Sequence, residues 1–288
     1  MTVTYSPGSY LTDFLDSLPA ATASGAVVVL ADNGSTDGAP EAAAAAHDNV
    51  EFFPTGGNLG YGTAINLAAR HLQPLRDAGE INPDFFVISN PDVVFGPGSI
   101  DTLLECASRW SDAADVGPRI DQSDGSAYPS ARAVPTLRNG IGHALFSQIW
   151  PTNPWTRSYR DDADMDHERV AGWLSGSCLL VRWDAFDAVG GFDERYFMYM
   201  EDVDLGDRFH RAGYVNVFCP QARITHAVGH AAGKHPDTML PAHHDSAYRF
   251  QADRLPHWWQ APLRAALKIG LKARGVLAVW QARSRKDS

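Results

Sequence analysis

The chain has 288 residues, 44% of them apolar and 20% charged, enough for one large or two fused domains whose core needs no disulfide or metal staple. That composition excludes a disordered, collagenous or coiled-coil protein. The net charge of -10 divides into an acidic body, with 16 basic against 32 acidic side chains over residues 1–250, and a basic tail with eight Lys/Arg against Asp253 and Asp287; such a body argues against a nucleic-acid partner and tolerates a divalent cation.

The first 120 residues alternate strand and helix patterns. Residues 3–5 read as a short strand, and Leu11, Phe14, Leu15 and Leu18 recur at helical spacing over 10–18. The mostly β-branched run over 26–31 fits a strand buried on both faces of a parallel sheet. It ends in Asp32-Asn33-Gly34-Ser35-Thr36-Asp37-Gly38, which is dense in turn-forming residues. A helix over 40–47, a strand over 50–54, a helix over 60–76 and a buried strand over 85–88 follow. Four β/α units in succession imply a parallel sheet with right-handed crossovers. The second half is less regular. It holds a turn at 121–125, a long loop over 151–169, a strand over 178–181, helices over 184–189 and 201–212, and strands over 214–218 and 223–225. Neither a repeat nor a Pro/Ser linker separates the halves, so one continuous sheet is expected.

In open α/β sheets, ligands bind beyond the carboxyl ends of the strands. Asp32 and Asp92 each follow an apolar strand and are expected on one rim; taken singly, Asp32 and Asp37 also fit simple turn and N-cap roles. Asp92, in Ser89-Asn90-Pro91-Asp92, is a hard oxygen ligand suited to Mg²⁺ or Mn²⁺ bridging a diphosphate. It needs a protein partner, and His226, just past a short strand, is best placed among the 11 histidines; a partly buried structural role is the alternative. Gly56-Gly57-Asn58-Leu59-Gly60-Tyr61-Gly62 precedes a helix and offers a phosphate approach, but it matches neither a dinucleotide fingerprint nor a P-loop. In Phe197-Met198-Tyr199-Met200-Glu201-Asp202-Val203-Asp204, three acids follow an aromatic run at a helix start. Glu201 or Asp204 there balances the helix dipole. Asp202, held against aromatic walls, is the candidate general base.

Together these stretches resemble the family 2 inverting glycosyltransferases of the GT-A fold. The matching blocks are Thr4-Tyr5 with its helix, residues 29–38, Asn58-Leu59-Gly60-Tyr61-Gly62 through Asn66, Ser89-Asn90-Pro91-Asp92, Trp173-Leu174-Ser175-Gly176, and Gly191-Phe192-Asp193-Glu194 through Glu201-Asp202. Order and spacing hold over about residues 1–230. The pattern is most similar to the rhamnosyltransferase branch, in particular its actinobacterial cell-wall members. That resemblance implies transfer of L-rhamnose from dTDP-L-rhamnose to N-acetylglucosaminyl-diphospho-polyprenol, forming the linker between arabinogalactan and peptidoglycan. It implies a mostly parallel nucleotide-sugar half over 1–120, a smaller mixed acceptor-binding and catalytic half over 121–250, and a basic amphipathic segment over 251–288. It also places Tyr5, Asp32, Asn58, Gly60, Asn90 and Asp92 at the donor, Asp92 and His226 on the metal, Trp173 and Gly176 at the acceptor, and Asp202 with Glu201 at the catalytic step. The metal motif reads Asn90-Pro91-Asp92 where the family pattern has Asp-x-Asp, so metal binding leans on His226. Another nucleotide sugar on the same fold, or a non-catalytic sugar-nucleotide binder, are the alternatives. A sugar-nucleotide pyrophosphorylase would need basic residues after the first strand, and Ser6-Pro7-Gly8-Ser9-Tyr10 has none.

Cys106, Cys178 and Cys219 are far apart and odd in number, which fits a reducing compartment and argues against a disulfide framework and a cysteine-built zinc site. No apolar run reaches ~18 residues, and the first residues lack the basic and apolar regions of a signal peptide. From Pro262 to about residue 280, Leu263, Ala266, Leu267, Gly270 and Leu271 gather on one arc with Arg264, Lys268 and Lys272 beside it. With Trp258, Trp259 and Trp280, this helix suits an anionic membrane surface; packing on the acidic body is the alternative. The expected place is the cytoplasm, peripheral at the inner face of the plasma membrane through residues 255–286.

Overall fold

A computed structural model describes residues 1–122, 125–136, 164–226 and 236–286. In chain order the first half contains β1 (Thr2–Thr4), α1 (Tyr10–Ala21), β2 (Val28–Asp32), α2 (Ala39–Ala46), β3 (Val50–Pro54), α3 (Tyr61–Asp77), β4 (Phe85–Ser89), β5 (Val93–Phe95), α4 (Ser99–Arg109) and β6 (Ala113–Asp121). The second half contains β7 (Ala127–Tyr128), β8 (Ala131–Arg132), β9 (Arg169–Ala171), β10 (Trp173–Leu174), β11 (Cys178–Arg182), α5 (Trp183–Val189), α6 (Glu201–Arg211), β12 (Val215–His226), α7 (Pro236–Asp253), a short 3₁₀ turn (Trp258–Gln260) and α8 (Ala261–Lys286).

One sheet runs through both halves, in the order β3-β2-β1-β4-β11-β6-β12-β5. The first four strands are parallel, as the β/α pattern requires. The rest are mixed: β11 runs antiparallel to β4 and β6, while β12 is parallel to β6. Helices cover both faces. Leu11, Phe14 and Leu15 of α1 pack with Ile100 of α4 on one side. Ile65 and Ala68 of α3, Phe186 of α5 and Leu205 of α6 pack on the other. All five residues of β2 are buried, which is why its sequence shows no polar alternation.

Three elements between residues 93 and 121 escape the strand and helix readings. β6 is masked by Asp115, Gly117, Pro118 and Arg119, residues uncommon in a central strand. The two strands expected over 214–218 and 223–225 are one strand, β12, whose pairing with β6 breaks register between Cys219 and Arg223. Of the loop expected over 151–169, residues 151–163 lie outside the described residues.

The separation of the cysteines in sequence misleads. β9 pairs antiparallel with β12, with Arg169 opposite Phe218, so Glu168 falls beside Cys219. Cys106 of α4 packs on the same strand. Two cysteines therefore share one site, against the expectation drawn from their spacing; all three are free thiols.

α7 supports the segment before α6. Phe250 is fully buried with Tyr196 and Val203, and the Ser246 hydroxyl donates to the Met198 carbonyl at 2.8 Å. α8 rests on α7: Gly275 is buried over His244, and the Lys268 ammonium lies 5.5 Å from the Tyr248 ring centroid. Leu267 and Leu271 are half-buried, whereas Leu263, Ile269, Trp258 and Trp259 are exposed. The helix thus packs on α7 through a narrow stripe, which divides the apolar arc expected from its sequence. No helix among the described residues is long and apolar enough to cross a membrane.

Candidate active site

β1 lies between β2 and β4, so the loops after β2 and β4 leave the same edge of the sheet. The rim expected for Asp32 and Asp92 therefore exists. At its near end Asp32 is buried within its own turn. Thr4 Oγ1 donates to Oδ1 at 2.7 Å, and the amides of Gly34 and Ser35 donate to Oδ2 at 3.0 and 2.9 Å. The Ser35 hydroxyl also donates to Oδ1. Burial acts to raise this carboxyl, but the bonds from Ser35, Thr4 and the two amides outweigh it and hold the group below the usual carboxylate range. Asp37 ties the same turn to the loop after β1, accepting from the Gly8 amide at 2.8 Å and from Ala39, in the first turn of α2, at 3.2 Å. Tyr5, next to Ser6 whose amide donates to the Ser35 hydroxyl of this turn, is 61% exposed.

Asn33 Nδ2 donates to the Gly60 carbonyl at 3.1 Å, which links the turn to the glycine loop. Gly60 has φ +87°, and a Cβ there would lie 2.2 Å from the Phe197 carbonyl oxygen. Only glycine permits that approach, and the next amide, Tyr61 N–H, donates to the same carbonyl at 3.2 Å. The glycine at 60 thus seats the segment that carries the acids. Asn58 is exposed on the loop, its Oδ1 3.4 Å from the Gly60 amide.

Farther along the rim, antiparallel pairing of β12 with β5 puts His226 opposite Val93, one residue past Asp92. His226 Nε2 lies 3.0 Å from Asp92 Oδ1 and 3.3 Å from Asn90 Nδ2, with the two ion-paired side chains only 14% and 19% exposed. Two ligands on one octahedral ion at ~2.1 Å stand about 3 Å apart, so a carboxylate oxygen and an imidazole nitrogen at this spacing fit one Mg²⁺ or Mn²⁺. No third His, Cys, Asp or Glu ligand atom joins them among the described residues.

Glu201 and Asp202 open α6. The two residues before them, Tyr199 and Met200, both adopt left-handed backbone (φ +67° and +68°), a strained pair of the kind that collects at working sites. Asp202 accepts from the Gly176 amide at 3.0 Å and from its neighbour Val203 at 2.8 Å. Burial raises its carboxyl, opposed by those amides and by the positive charge of Arg132. Glu201 is buried, and its Oε2 has no hydrogen-bond partner among the described residues. Burial first, and repulsion from Asp202 second, push the Glu201 carboxyl up as well. Two adjacent acids in a dry site hold a proton more readily than either would in water. Asp204 is buried and pairs with Arg208 at 2.6 Å, so it serves the helix itself.

The turn 175–177 connects the Asp92–His226 rim to the acids. Ser177 O accepts from the Asn90 amide at 2.9 Å, Gly176 O accepts from the Tyr61 hydroxyl at 2.7 Å, and Gly176 N–H binds Asp202. Tyr61 is held far above its ordinary pKa by burial and then by the charges of Glu201, Asp202, Cys178 and Asp92, so it stays a donor. Trp173 packs its backbone and Cβ against Gly206 of α6 and donates through Nε1 to Ala133 O at 3.1 Å. The Arg132 guanidinium stands 6.0 Å from its ring centroid. Tyr61 and Arg132 were not singled out from sequence. Tyr61 sits inside the glycine motif, the one signal that points to it; nothing in the chain order relates Arg132 to Asp202.

This architecture is the GT-A glycosyltransferase fold. The chain superposes on a mannosyltransferase from Pyrobaculum calidifontis in complex with GDP-Man and Mn²⁺ with TM-score 0.56 at 15% identity, covering 98% of this chain and 72% of that one. It superposes on GalNAc-T7 with UDP, GalNAc and Mn²⁺ with TM-score 0.55 at 14% identity, covering 78% and 42%.

The chain belongs to glycosyl transferase family 2, whose profile matches residues 1–187; that of glycosyl transferase family group 2 matches residues 146–237. It is 54% identical, over 99% of its length and 94% of the relative's, to the N-acetylglucosaminyl-diphospho-decaprenol L-rhamnosyltransferase of Mycobacterium tuberculosis. It is 27% identical to rhamnosyltransferase WbbL of Escherichia coli, over 69% and 73% of the two chains.

Proposed function

We propose that this glycosyltransferase moves L-rhamnose from dTDP-L-rhamnose onto N-acetylglucosaminyl-diphospho-polyprenol with inversion, in synthesis of the arabinogalactan linker. The observation that carries the reading is the 54% identity, end to end, with the mycobacterial enzyme of that acceptor. On this reading residues 1–120 offer Tyr5, Asn58, Asn90 and Asp92 to the donor, with Asp32 and Gly60 buried behind them to fix the loops, and residues 121–250 offer Trp173 and Gly176 to the acceptor. The acceptor hydroxyl attacks the anomeric carbon on the face opposite the diphosphate, and Asp202 takes its proton. A single displacement with one base and no covalent sugar intermediate inverts the configuration; a paired-acid glycosidase would place two carboxyls across the bond. Burial raises the base towards working pH, and its negative charge in turn helps to keep Glu201 protonated beside it. Arg132, whose positive charge acts on this base, offers a cation to a diphosphate. Asp92 and His226 would hold Mg²⁺ or Mn²⁺, which would supply Lewis-acid neutralisation of the departing diphosphate.

The exposed Trp258 and Trp259 and the open face of α8 bring the protein to the inner surface of the plasma membrane, where a lipid-linked acceptor resides. Each Lys or Arg near an anionic surface contributes about 1 kcal/mol, screened by salt.

The test is dTDP release from dTDP-L-rhamnose by the full chain, with and without the lipid-linked GlcNAc acceptor, in Mn²⁺ or in chelator, on anionic vesicles. Acceptor-dependent release that stops in chelator, with vesicle binding lost at high salt and reduced in the Trp258→Ser/Trp259→Ser variant, is expected. Turnover with another sugar nucleotide but none with dTDP-L-rhamnose overturns the donor assignment. Full activity in chelator overturns the metal.

A further inference from the structure

Outside the active site, the clearest unused group of reactive side chains is Cys106, Glu168 and Cys219. Their ligand atoms all lie within 4.8 Å of one another. Cys106 comes from α4 and Cys219 from the first part of β12, both with no exposed surface. Glu168 arrives through the β9–β12 register, one residue before Arg169. Its carboxylate is oriented from two sides: Trp110 Nε1 donates to Oε1 at 2.6 Å and Arg109 Nη2 donates to Oε2 at 2.5 Å. Gln221 Oε1 lies 3.7 Å from Cys219 Sγ.

We propose that Cys106, Cys219 and Glu168 form a structural site for a thiophilic divalent cation of the zinc class, separate from the Asp92–His226 rim. A tetrahedral ion with metal–sulfur bonds of ~2.3 Å and metal–oxygen bonds of ~2.1 Å holds its donors about 3.5–3.8 Å apart. The group closes to that spacing with side-chain shifts of less than about 1 Å. Each carboxylate oxygen keeps a lone pair beyond the bond it accepts, so Trp110 and Arg109 take the outer-shell places that fix a ligand's orientation. Charge also closes. Two thiolates and a carboxylate carry three negative charges, and the ion with the Arg109 guanidinium returns three positive ones. Binding releases the two thiol protons to solvent. Gln221, whose Oε1 lies 3.7 Å from Cys219 Sγ, can supply a fourth ligand. Sulfur donors favour zinc over magnesium or manganese, whereas the Asp92–His226 pair offers none. The two sites therefore differ in ion as well as in place.

The consequence is mechanical. The ion would join α4, β12 and the segment that enters β9. β10, which carries Trp173, begins two residues after β9 ends, so the site stiffens the approach to the acceptor side without touching substrate.

The test uses the full chain, purified under reducing conditions and loaded with Zn²⁺ or Co²⁺. One tightly held zinc by elemental analysis, a raised melting temperature, and a thiolate-to-cobalt charge-transfer band with intense tetrahedral d–d absorption are expected. Asp92→Ala keeps that band. Cys106→Ser and Cys219→Ser lose it, and Trp110→Phe weakens zinc binding ~10- to 100-fold, as loss of an outer-shell partner does. Wild-type protein that shows no cobalt–thiolate band overturns the proposal whatever the variants do. So does a Cys106–Cys219 disulfide in the protein as purified, or a band that disappears with Asp92→Ala while surviving Cys219→Ser. Rhamnosyl transfer enters none of these readings, so the two proposals fail separately.

Discussion

Asp32 and Asp202 are both acids at the mouth of the same sheet, and their surroundings drive them in opposite directions. Asp32 is enclosed by four donors from its own turn and from β1. Its charge is fully answered before any ligand arrives. Asp202 receives two amides and has a buried acid as its neighbour. Its charge is only partly answered. A saturated carboxylate fixes a loop; an unsaturated one in a dry site is free to take a proton. The chemistry thus divides between a rigid turn at the rim and a helix start whose acids stay ready to change charge.

The largest effect expected is on turnover. Asp202→Asn preserves shape and removes the proton acceptor, so the rate falls by ~10²–10⁴ while donor binding, read by calorimetry, stays unchanged. Equal loss of donor binding would make Asp202 a donor ligand and erase the distinction from Asp32.

Next in size is Asp32→Asn, read as stability. Removing charge-assisted bonds costs about 1.5–3 kcal/mol near neutral pH. A carboxyl lowered in the folded state stabilises above its unfolded pKa and loses that contribution as pH falls through the folded value. The wild type should therefore lose melting temperature on acidification more steeply than the variant. Parallel curves would show that the turn does not depend on the charge.

The smallest and most discriminating effect belongs to Glu201→Gln. Glu201 is the acid that burial and then Asp202 push up, to about 8, so it is neutral where Asp202 titrates, and glutamine keeps the acid limb of the activity profile and most of the maximal rate in place. Stability should also respond. A carboxyl raised in the folded state gives its full contribution below its unfolded pKa and loses it as pH rises through the folded value. The glutamine variant removes that decline. Should Glu201→Gln abolish turnover while Asp202→Asn retains it, the roles of the two acids are exchanged.

Local chemistry made much of this legible. The apolar run through Val28–Asp32 has to be a doubly buried strand, and the turn residues after it have to turn, because both requirements act within a few residues. The same holds for α1, α3 and α6, whose apolar spacing is helical, and for the acids at the start of α6. The pairing of Asp92 with His226 needed more: the strand is readable at 223–225, but only antiparallel pairing of β12 with β5 places its end beside Asp92. β6 was not readable, because Asp115, Gly117 and Pro118 fit a central strand only once neighbours bury it. The contact of Tyr61 with Gly176, the nearness of Arg132 to Asp202 and the gathering of Cys106, Glu168 and Cys219 lay equally beyond the chain order. Each joins residues far apart in sequence, and no periodicity encodes such a meeting. Sequence determined which segments become strands, helices and turns, since those choices are set by local sterics and by burial on one face or two. Tertiary structure decided which side chains meet, since that depends on strand order and register.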